Sequence, residues 1–328
     1  MVFRSKLRNS DKLLLSNLEK NSRIPFSRLG KNIKKSQQQV SYTVNSLVQK
    51  DVIKNFYTII DYSKLDVLNF RVYFRVSYVD EEKFNELIEH LKNLPYTSWI
   101  VDCGGRYDLI CTFFTQNPSQ FNKNLKNVIE KFPKQIQNYT VLTTIVNRIL
   151  GRKYLFKDFS RMSRPIVGGD REPEKIDEID LKILGELAED ARRSSVMISR
   201  KLEMTPKTVI NRIKNLETRK IIRGYKPLLN TREIGYESNL LLIKYHNISS
   251  EKEDELINYL KMHPNVVSVV KTLGEWDIEI EVEVEEQIEL RKVERKIRQK
   301  FALLIKEIES IPMYQPHKIC YFPSFLLD

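Results

Sequence analysis

The sequence predicts an α+β protein made of two tandem copies of one unit, each a winged helix-turn-helix followed by β-α-β-β-α-β. Three observations predict it. A single offset of 169 residues aligns the two halves of the 328-residue chain without a gap. Each half opens on short segments with apolar residues at three- and four-residue spacing, the pattern of amphipathic helices. Each half then alternates strand-like and helix-like stretches in the same order.

Many pairs carry the offset. Asp11-Lys-Leu-Leu-Leu-Ser-Asn-Leu18 overlays Asp180-Leu-Lys-Ile-Leu-Gly-Glu-Leu187. Arg23 falls on Arg192, Leu29 on Ile198, Ile33 on Leu202 and Ser36 on Thr205. Val40, Val44, Leu47 and Ile53 fall on Val209, Ile213, Leu216 and Ile222, and Gly105-Arg-Tyr-Asp108 meets Gly274-Glu-Trp-Asp277. The pattern divides the chain into a first helix-turn-helix (1–62), a first βαββαβ domain (63–150), a linker (151–175), a second helix-turn-helix (176–231) and a second βαββαβ domain (232–328).

In the first copy, Ser10 or Asp11 could cap the opening helix. The third helix runs from Ser36 to Lys50, buries Val40, Val44 and Leu47, and exposes Gln37, Gln38, Gln39, Ser41, Tyr42 and Asn45. Val52–Tyr57 reads as a wing strand. A strand (Phe70–Val76), a helix (Glu81–Leu94), two strands about a glycine turn (Ser98–Gly105, Tyr107–Thr115), a helix (Phe121–Phe132) and a strand (Ile136–Val146) complete the ferredoxin-like order. The stretch from Arg148 to Glu174 lacks a sustained apolar period and carries Pro165, Gly168, Gly169 and Pro173. It reads as an extended or flexible linker, or near residues 148–156 as a strand end followed by a surface loop.

The second copy repeats the plan. Asp177 or Asp180 could cap its first helix, and a second helix spans about Ser194–Leu202. Thr205 and Pro206 occupy the N-cap and first turn of a third helix extending to Arg219. That helix buries Val209, Ile213 and Leu216 and exposes Lys207, Thr208, Asn211, Arg212 and Lys214. Ile221–Tyr225 is the matching wing. The run Asp277-Ile-Glu-Ile-Glu-Val-Glu-Val-Glu285 alternates with period two, which reads as a half-solvated strand with its acidic face outward.

Charge gives the helical units a partner. The chain holds 55 Lys+Arg against 43 Asp+Glu, a net charge of +12. Residues 1–164 hold 28 basic and 14 acidic side chains, leaving 27 and 29 for the second half. Residues 4–57 hold 12 against 3, and residues 176–225 hold 11 against 8. A short helix, a tight turn and a second helix is the plan that sets an α-helix in the major groove of double-stranded DNA, where Arg, Lys, Asn and Gln read base edges. Arg23, Lys34 and Lys35 are suited to phosphate, as are Ser36, Ser41 and Tyr42, while Gln37, Gln38, Gln39 and Asn45 are suited to bases. In the second copy Thr205, Lys207, Thr208, Asn211, Arg212 and Lys214 form the corresponding set.

Other classes lack support. The longest apolar stretches, such as Asn239–Ile243, fall far short of the ~20 residues of a membrane span, and the N-terminus has no secretory pattern. Cys103, Cys111 and Cys320 form no CxxC pair, and His90, His246, His263 and His317 lie at no metal-ligand spacing. Cys103 and Cys111 read as small core residues. No phosphate loop, nucleophile elbow or cofactor motif is present, so the expectation is a cytoplasmic, nucleoid-associated protein without cofactor, metal or catalytic residues.

A helix-turn-helix followed by βαββαβ, with Ile176-Asp-Glu-Ile-Asp-Leu-Lys-Ile-Leu184, Ala191-Arg-Arg193, Met204–Glu217, Ile221-Ile-Arg-Gly-Tyr225 and the two Gly-x-Tyr/Trp-Asp turns, resembles the Lrp/AsnC family of leucine-responsive transcription regulators. The first copy departs from the pattern at Asn55-Phe56 in the wing and at Lys35-Ser-Gln-Gln38 in the turn. The resemblance implies DNA contact that includes Arg192 and Arg193, pairing through the βαββαβ domains, further homo-oligomers, and an amino acid or other small effector. Effector contact would fall on Gly105, Arg106, Tyr107 and Asp108 and on Gly274, Glu275, Trp276 and Asp277; the same turns also read as tight β-turns with a buried aromatic. One chain holding two copies implies a covalent pseudo-dimer with two unlike heads. Two other readings share this architecture. Sirohaem decarboxylases resemble the family in fold and would use His and Arg at the domain interface, here Arg71, Arg75, Arg106 and His246. A ligand-sensing adaptor would dispense with DNA.

Overall fold

The computed structural model describes residues 7–77, 81–156, 158–159, 162–246 and 249–327. The chain opens on α1 (Asn9–Lys20), α2 (Phe26–Ile33), α3 (Gln37–Gln49) and a wing strand, β1 (Ile53–Ile60). Ser36 caps α3 in a capping box with Gln39, closing two orphan amides reciprocally. Ser10 and Asp11 do not cap α1; the helix begins at Asn9 and Arg8 stands at the cap without a side-chain bond. The first βαββαβ domain follows as β2 (Leu68–Val76), α4 (Glu81–Asn93), β3 (Thr97–Cys103), β4 (Leu109–Thr115), α5 (Pro118–Lys131) and β5 (Ile136–Ile149). Beyond it lies a short strand, β6 (Ile166–Gly168).

The second copy comprises α6 (Glu178–Glu189), α7 (Ser195–Lys201), α8 (Pro206–Thr218) and its wing β7 (Ile222–Leu229). Asp177, Ser194 and Thr205 each cap the helix that follows by accepting a backbone amide, and Pro206 takes the first turn of α8. Then come β8 (Glu237–Tyr245), α9 (Ser250–Met262), β9 (Val266–Leu273), β10 (Ile278–Val284), α10 (Gln287–Lys300) and β11 (Ile305–Ile319).

The two copies share one sheet. Each contributes four strands, in the orders β5-β2-β4-β3 and β11-β8-β10-β9. Antiparallel pairs β5–β9 and β11–β3 join the halves and close the eight strands into a ring. A second, two-stranded sheet is made by the wings: β1 pairs with β7, with Tyr57 opposite Lys226. Tyr57 and Lys226 are equivalent residues under the 169-residue offset, so the pseudo-two-fold axis passes between them.

Helices cover the outside of the ring. Phe70, Val72 and Phe74 pack with Phe84, Leu87, Leu91 and Val128 of α4 and α5, while Ile278, Ile280, Val282 and Val284 pack under α9 and α10. Cys103 and Cys111 are buried. The acidic face of β10 does not meet solvent as its alternation suggested. Glu279 and Glu283 are fully buried, because ring closure turns that face inward. There Glu279 accepts from Arg71 and, at 2.6 Å, from the Tyr73 hydroxyl, both on a strand that is no neighbour of β10 in the ring.

The inter-copy segment is not a free linker either. β6 pairs with Val146–Arg148 of β5, the Gly168 amide donates to Asp61 at 2.9 Å, Arg171 pairs with the same carboxylate, and Lys153 is buried. Lys157, Ser160 and Arg161 of that segment lie outside the described residues. Among the described residues no helix is long and apolar enough to cross a membrane, and no three His, Cys, Asp or Glu gather at a metal-binding distance.

Candidate nucleic-acid interface and the junction beneath it

The third helices present two unlike faces. On α3, Gln37, Gln38, Tyr42 and Asn45 are exposed, Tyr42 most of all at 77%, with Ser41 half-buried at their side. Lys34, at the left-handed C-cap of α2, and Ser36 are exposed at the helix start, and Lys35 is half-buried. On α8, Lys207, Asn211 and Lys214 are exposed. Under the repeat, Lys207 takes the position of Gln38, Asn211 that of Tyr42 and Lys214 that of Asn45, so each head offers a different donor and acceptor set.

Several of the expected contact residues are already engaged. Gln39 is exposed, but its side-chain oxygen already accepts from the Ser36 amide at 2.9 Å, which leaves only its Nε2 donors to present outward. Thr205 and Thr208 bond to one another at 2.8 Å and close the cap of α8. The Arg212 guanidinium bridges Asp177 and Asp180, each at 2.8 Å, which ties α8 to the start of α6 and raises its own pKa. Arg193 binds Glu186, and Glu189 at 2.8 Å. Arg23 and Arg192 do not stand free for phosphate. Arg23 donates to the Ala191 and Arg193 carbonyls, and Arg192 to those of Ser22 and Ile24, so both belong to the seam between the heads. Charge counts cannot separate such an arginine from a phosphate contact, although the coincidence of Arg23 and Arg192 under the repeat was a usable signal.

The two Gly-x-Tyr/Trp-Asp turns connect β3 to β4 and β9 to β10. Asp108 accepts from the Val76 amide and Asp277 from the Tyr245 amide, each at 2.8 Å. Arg75 donates to the Gly105 carbonyl at 2.7 Å and Lys244 to that of Gly274 at 3.2 Å. Tyr107 and Trp276 are buried in one apolar cluster with Leu142, Leu242 and Met313. Gly274 adopts φ +146°, and a Cβ there would sit 2.7 Å from a Leu142 methyl, so only glycine fits. Equivalent residues Arg106 and Glu275 bind one another at 2.5 Å, and Arg106 also reaches Glu309. The turns are thus pinned by matching contacts and face each other.

Below the wings lies a charged junction that sequence reasoning missed. Glu19 of α1 pairs with Lys226 of β7 at 2.9 Å, and Arg152 binds Glu283 through two nitrogens at 2.9 and 3.1 Å, with Tyr154 on the same carboxylate. Across the pseudo-axis the equivalents of Lys226 and Arg152 are Tyr57 and Tyr321, whose rings stack at 5.9 Å. Burial lowers Lys153 to about 7, with Arg164 and Lys226 adding repulsion. Arg71, Arg75 and Arg106 are each bound to carboxylates or carbonyls in separate places, and His246 is exposed, so the four do not converge on one pocket.

Comparison with known proteins supports the helical units. Residues 176–217 match the AsnC-type helix-turn-helix domain, and residues 7–54 match a winged helix-turn-helix DNA-binding domain. The HTH-type transcriptional regulator Ptr1 of Methanocaldococcus jannaschii is 38% identical over 102 residues, covering 31% of this chain and 68% of that protein. The leucine-responsive regulatory protein of Rhizobium meliloti is 36% identical over 63 residues, 19% of this chain and 40% of its own. In fold, the crystal structure of the siroheme decarboxylase NirDL superposes over 97% of this chain and 94% of that chain, with a TM-score of 0.60 at 15% identity.

Proposed function

Because the chain belongs to the Lrp/AsnC family of helix-turn-helix transcription regulators, we propose that it acts as a covalent pseudo-dimer whose two unlike heads read an asymmetric site on double-stranded DNA. The single observation that carries this reading is the pairing of β1 with β7 around Tyr57 and Lys226, which fastens the two helix-turn-helix units to each other inside one chain. The antiparallel β1–β7 pairing fixes a separation that two independent chains would have to find by association, so the second head engages at high effective concentration. The first head carries Lys34, Gln38, Tyr42 and Asn45 into its groove and the second carries Lys207, Asn211 and Lys214. The greater basic excess of the first head supplies phosphate affinity, and the second relies on its few exposed polar side chains.

Further homo-oligomers would form through surfaces outside the ring, because the ring's edges are already joined by the chain's own strands. An amino-acid effector at the two turns would act by opening the Arg106–Glu275 pair and so relaxing one half of the ring against the other. A mobility-shift titration of the full chain on duplex DNA tests the reading. Binding that weakens with salt, and a salt slope that falls by about one unit in Lys34→Ala, is expected. Salt-independent binding, or none, would overturn it, and the adaptor reading would take its place.

A further inference from the structure

The ring is not solid throughout. Its end beneath the wings encloses a cavity of about 120 Å³ lined by Glu19 of α1, Tyr57 of β1 and Leu228 of β7 on one side and by ring residues Thr112, Thr144 and Glu281 on the other. We propose that this cavity binds a small primary amine that also carries an acceptor oxygen, with the ammonium on Glu281.

Charge accounting within the ring and junction picks out Glu281. Glu19, Glu279, Glu281 and Glu283 stand around the ring interior and the junction. Arg71 pairs with Glu279, Arg152 with Glu283 and Glu19, and Lys226 with Glu19. Among the described residues no cation pairs with Glu281; its partner is the Ser268 hydroxyl. Its counterpart in the first copy is Thr112, so nothing in the repeat demands a carboxylate at this point of the ring.

The hydrogen-bonding groups around it are also unfilled. Among the described residues the hydroxyls of Tyr62, Thr112 and Thr144 and the Nε–H of Arg71 have no partner, and all four residues are more than nine-tenths buried and line the cavity. A buried donor or hydroxyl left unpaired is destabilising, so a ligand that pairs these groups is favoured. An ammonium satisfies Glu281 and the hydroxyls, and an acceptor oxygen satisfies Arg71 Nε–H. Tyr57, Trp99, Phe114 and Tyr321 provide apolar and aromatic walls for the carbon chain. Since a cavity of roughly 150 Å³ admits benzene, this one admits an amine of a few carbons.

The groups facing Glu281 set how binding depends on pH. Burial and the neighbouring Glu283 hold its carboxyl up to about 7, against the opposing pull of Arg152 and Arg71, and the neutral hydroxyls of Tyr57 and Tyr321 complete its surroundings. An amine therefore meets an ionised partner at pH 8 and must displace a proton at pH 6. The site's role as an effector seat rests on the regulator reading above, because it touches both wings; its existence as a binding site does not.

The test uses the full chain without DNA. Calorimetry and thermal unfolding with 4-amino-1-butanol, and with 1,4-butanediol as the uncharged control, should show binding and a raised Tm for the amine alone. Binding should be about tenfold tighter at pH 8 than at pH 6, the change in the ionised fraction of a group titrating near 7. Glu281→Gln should abolish the response, and Thr144→Val should weaken it several-fold while keeping its pH dependence. Equal responses to amine and diol, retained amine binding in Glu281→Gln, or no amine binding at all would overturn the proposal. A mobility shift without amine tests the DNA reading separately, so the two can fail independently.

Discussion

Arg23 and Arg192, equivalent residues of the two copies, each reach across to the backbone of the other copy. Arg23 Nη1 donates to the Ala191 carbonyl at 2.6 Å and the Arg193 carbonyl at 2.9 Å, and Arg192 Nη1 to the carbonyls of Ser22 and Ile24. The offset of 169 residues exchanges one set for the other, so this is a self-complementary clasp of the kind a two-fold dimer makes, here within one chain. Charged donors on partly buried carbonyls contribute about 1.5–3 kcal/mol each. Arg23→Ala should therefore lower unfolding stability by about that much while leaving the salt slope of DNA binding unchanged. Chemical denaturation together with a salt titration checks both halves of this outcome.

Arg212 is expected to behave as a brace. Its two carboxylate partners, Asp177 and Asp180, sit at the start of α6, and the pair is partly solvated, so Arg212→Ala should cost about 1 kcal/mol of stability. Loss of discrimination between DNA sequences should instead follow Asn211→Ala and Lys207→Ala. Competition binding with single-base operator variants separates the two effects; a loss of specificity in Arg212→Ala equal to that in Asn211→Ala would return Arg212 to the groove.

Inside the ring, the first copy supplies the cation and the second the anion. Arg71 corresponds to Leu240 and Glu279 to Ile110, so pairing like copy with like would leave Arg71 or Glu279 buried without its partner. Arg71→Met alone should cost about 3–5 kcal/mol, whereas Arg71→Met with Glu279→Met should restore most of the loss. A double-mutant cycle by denaturant unfolding measures the coupling, and an additive result would mean that the pair does not select the partner copy.

The strands and helices were legible because their apolar periods are local. Leu-rich spacing places α6, and Thr205-Pro206 places the start of α8 to the residue. The destination of the Glu279-Glu281-Glu283 face was not legible. Period two says only that two faces differ, and whether the polar one meets water depends on β5–β9 and β11–β3 pairings made 119 residues or more apart along the chain. The same holds for Arg23, Arg192 and Arg212: a basic side chain near a helix-turn-helix has the same composition whether its partner is phosphate or a distant carbonyl. Glu19 and Arg152 gave no local signal at all, since each lies in a stretch whose role is set by the other copy.

Glu281 makes stability fall as pH rises. Its carboxyl titrates near 7 in the folded chain and near 4.3 when unfolded, so between those values the folded state holds a proton that the unfolded state has released. Stability associated with this group is full below about pH 4 and declines through pH 7. Glu281→Gln should match the parent at pH 4 and exceed it at pH 8 by on the order of 2–3 kcal/mol. Denaturant midpoints across that range check the sign; a parent that gains stability relative to Glu281→Gln as pH rises contradicts it.

The proposed function places two unequal reading heads, fastened together, in one chain. Selecting bound DNA from a random duplex pool with the parent chain, with Gln38→Ala/Tyr42→Ala and with Lys207→Ala/Asn211→Ala tests it most directly. The parent should select two different half-sites at fixed spacing, and each variant should lose sequence preference in one half-site while keeping the other. Selection of two identical half-sites, or loss of both preferences in either variant, would contradict it.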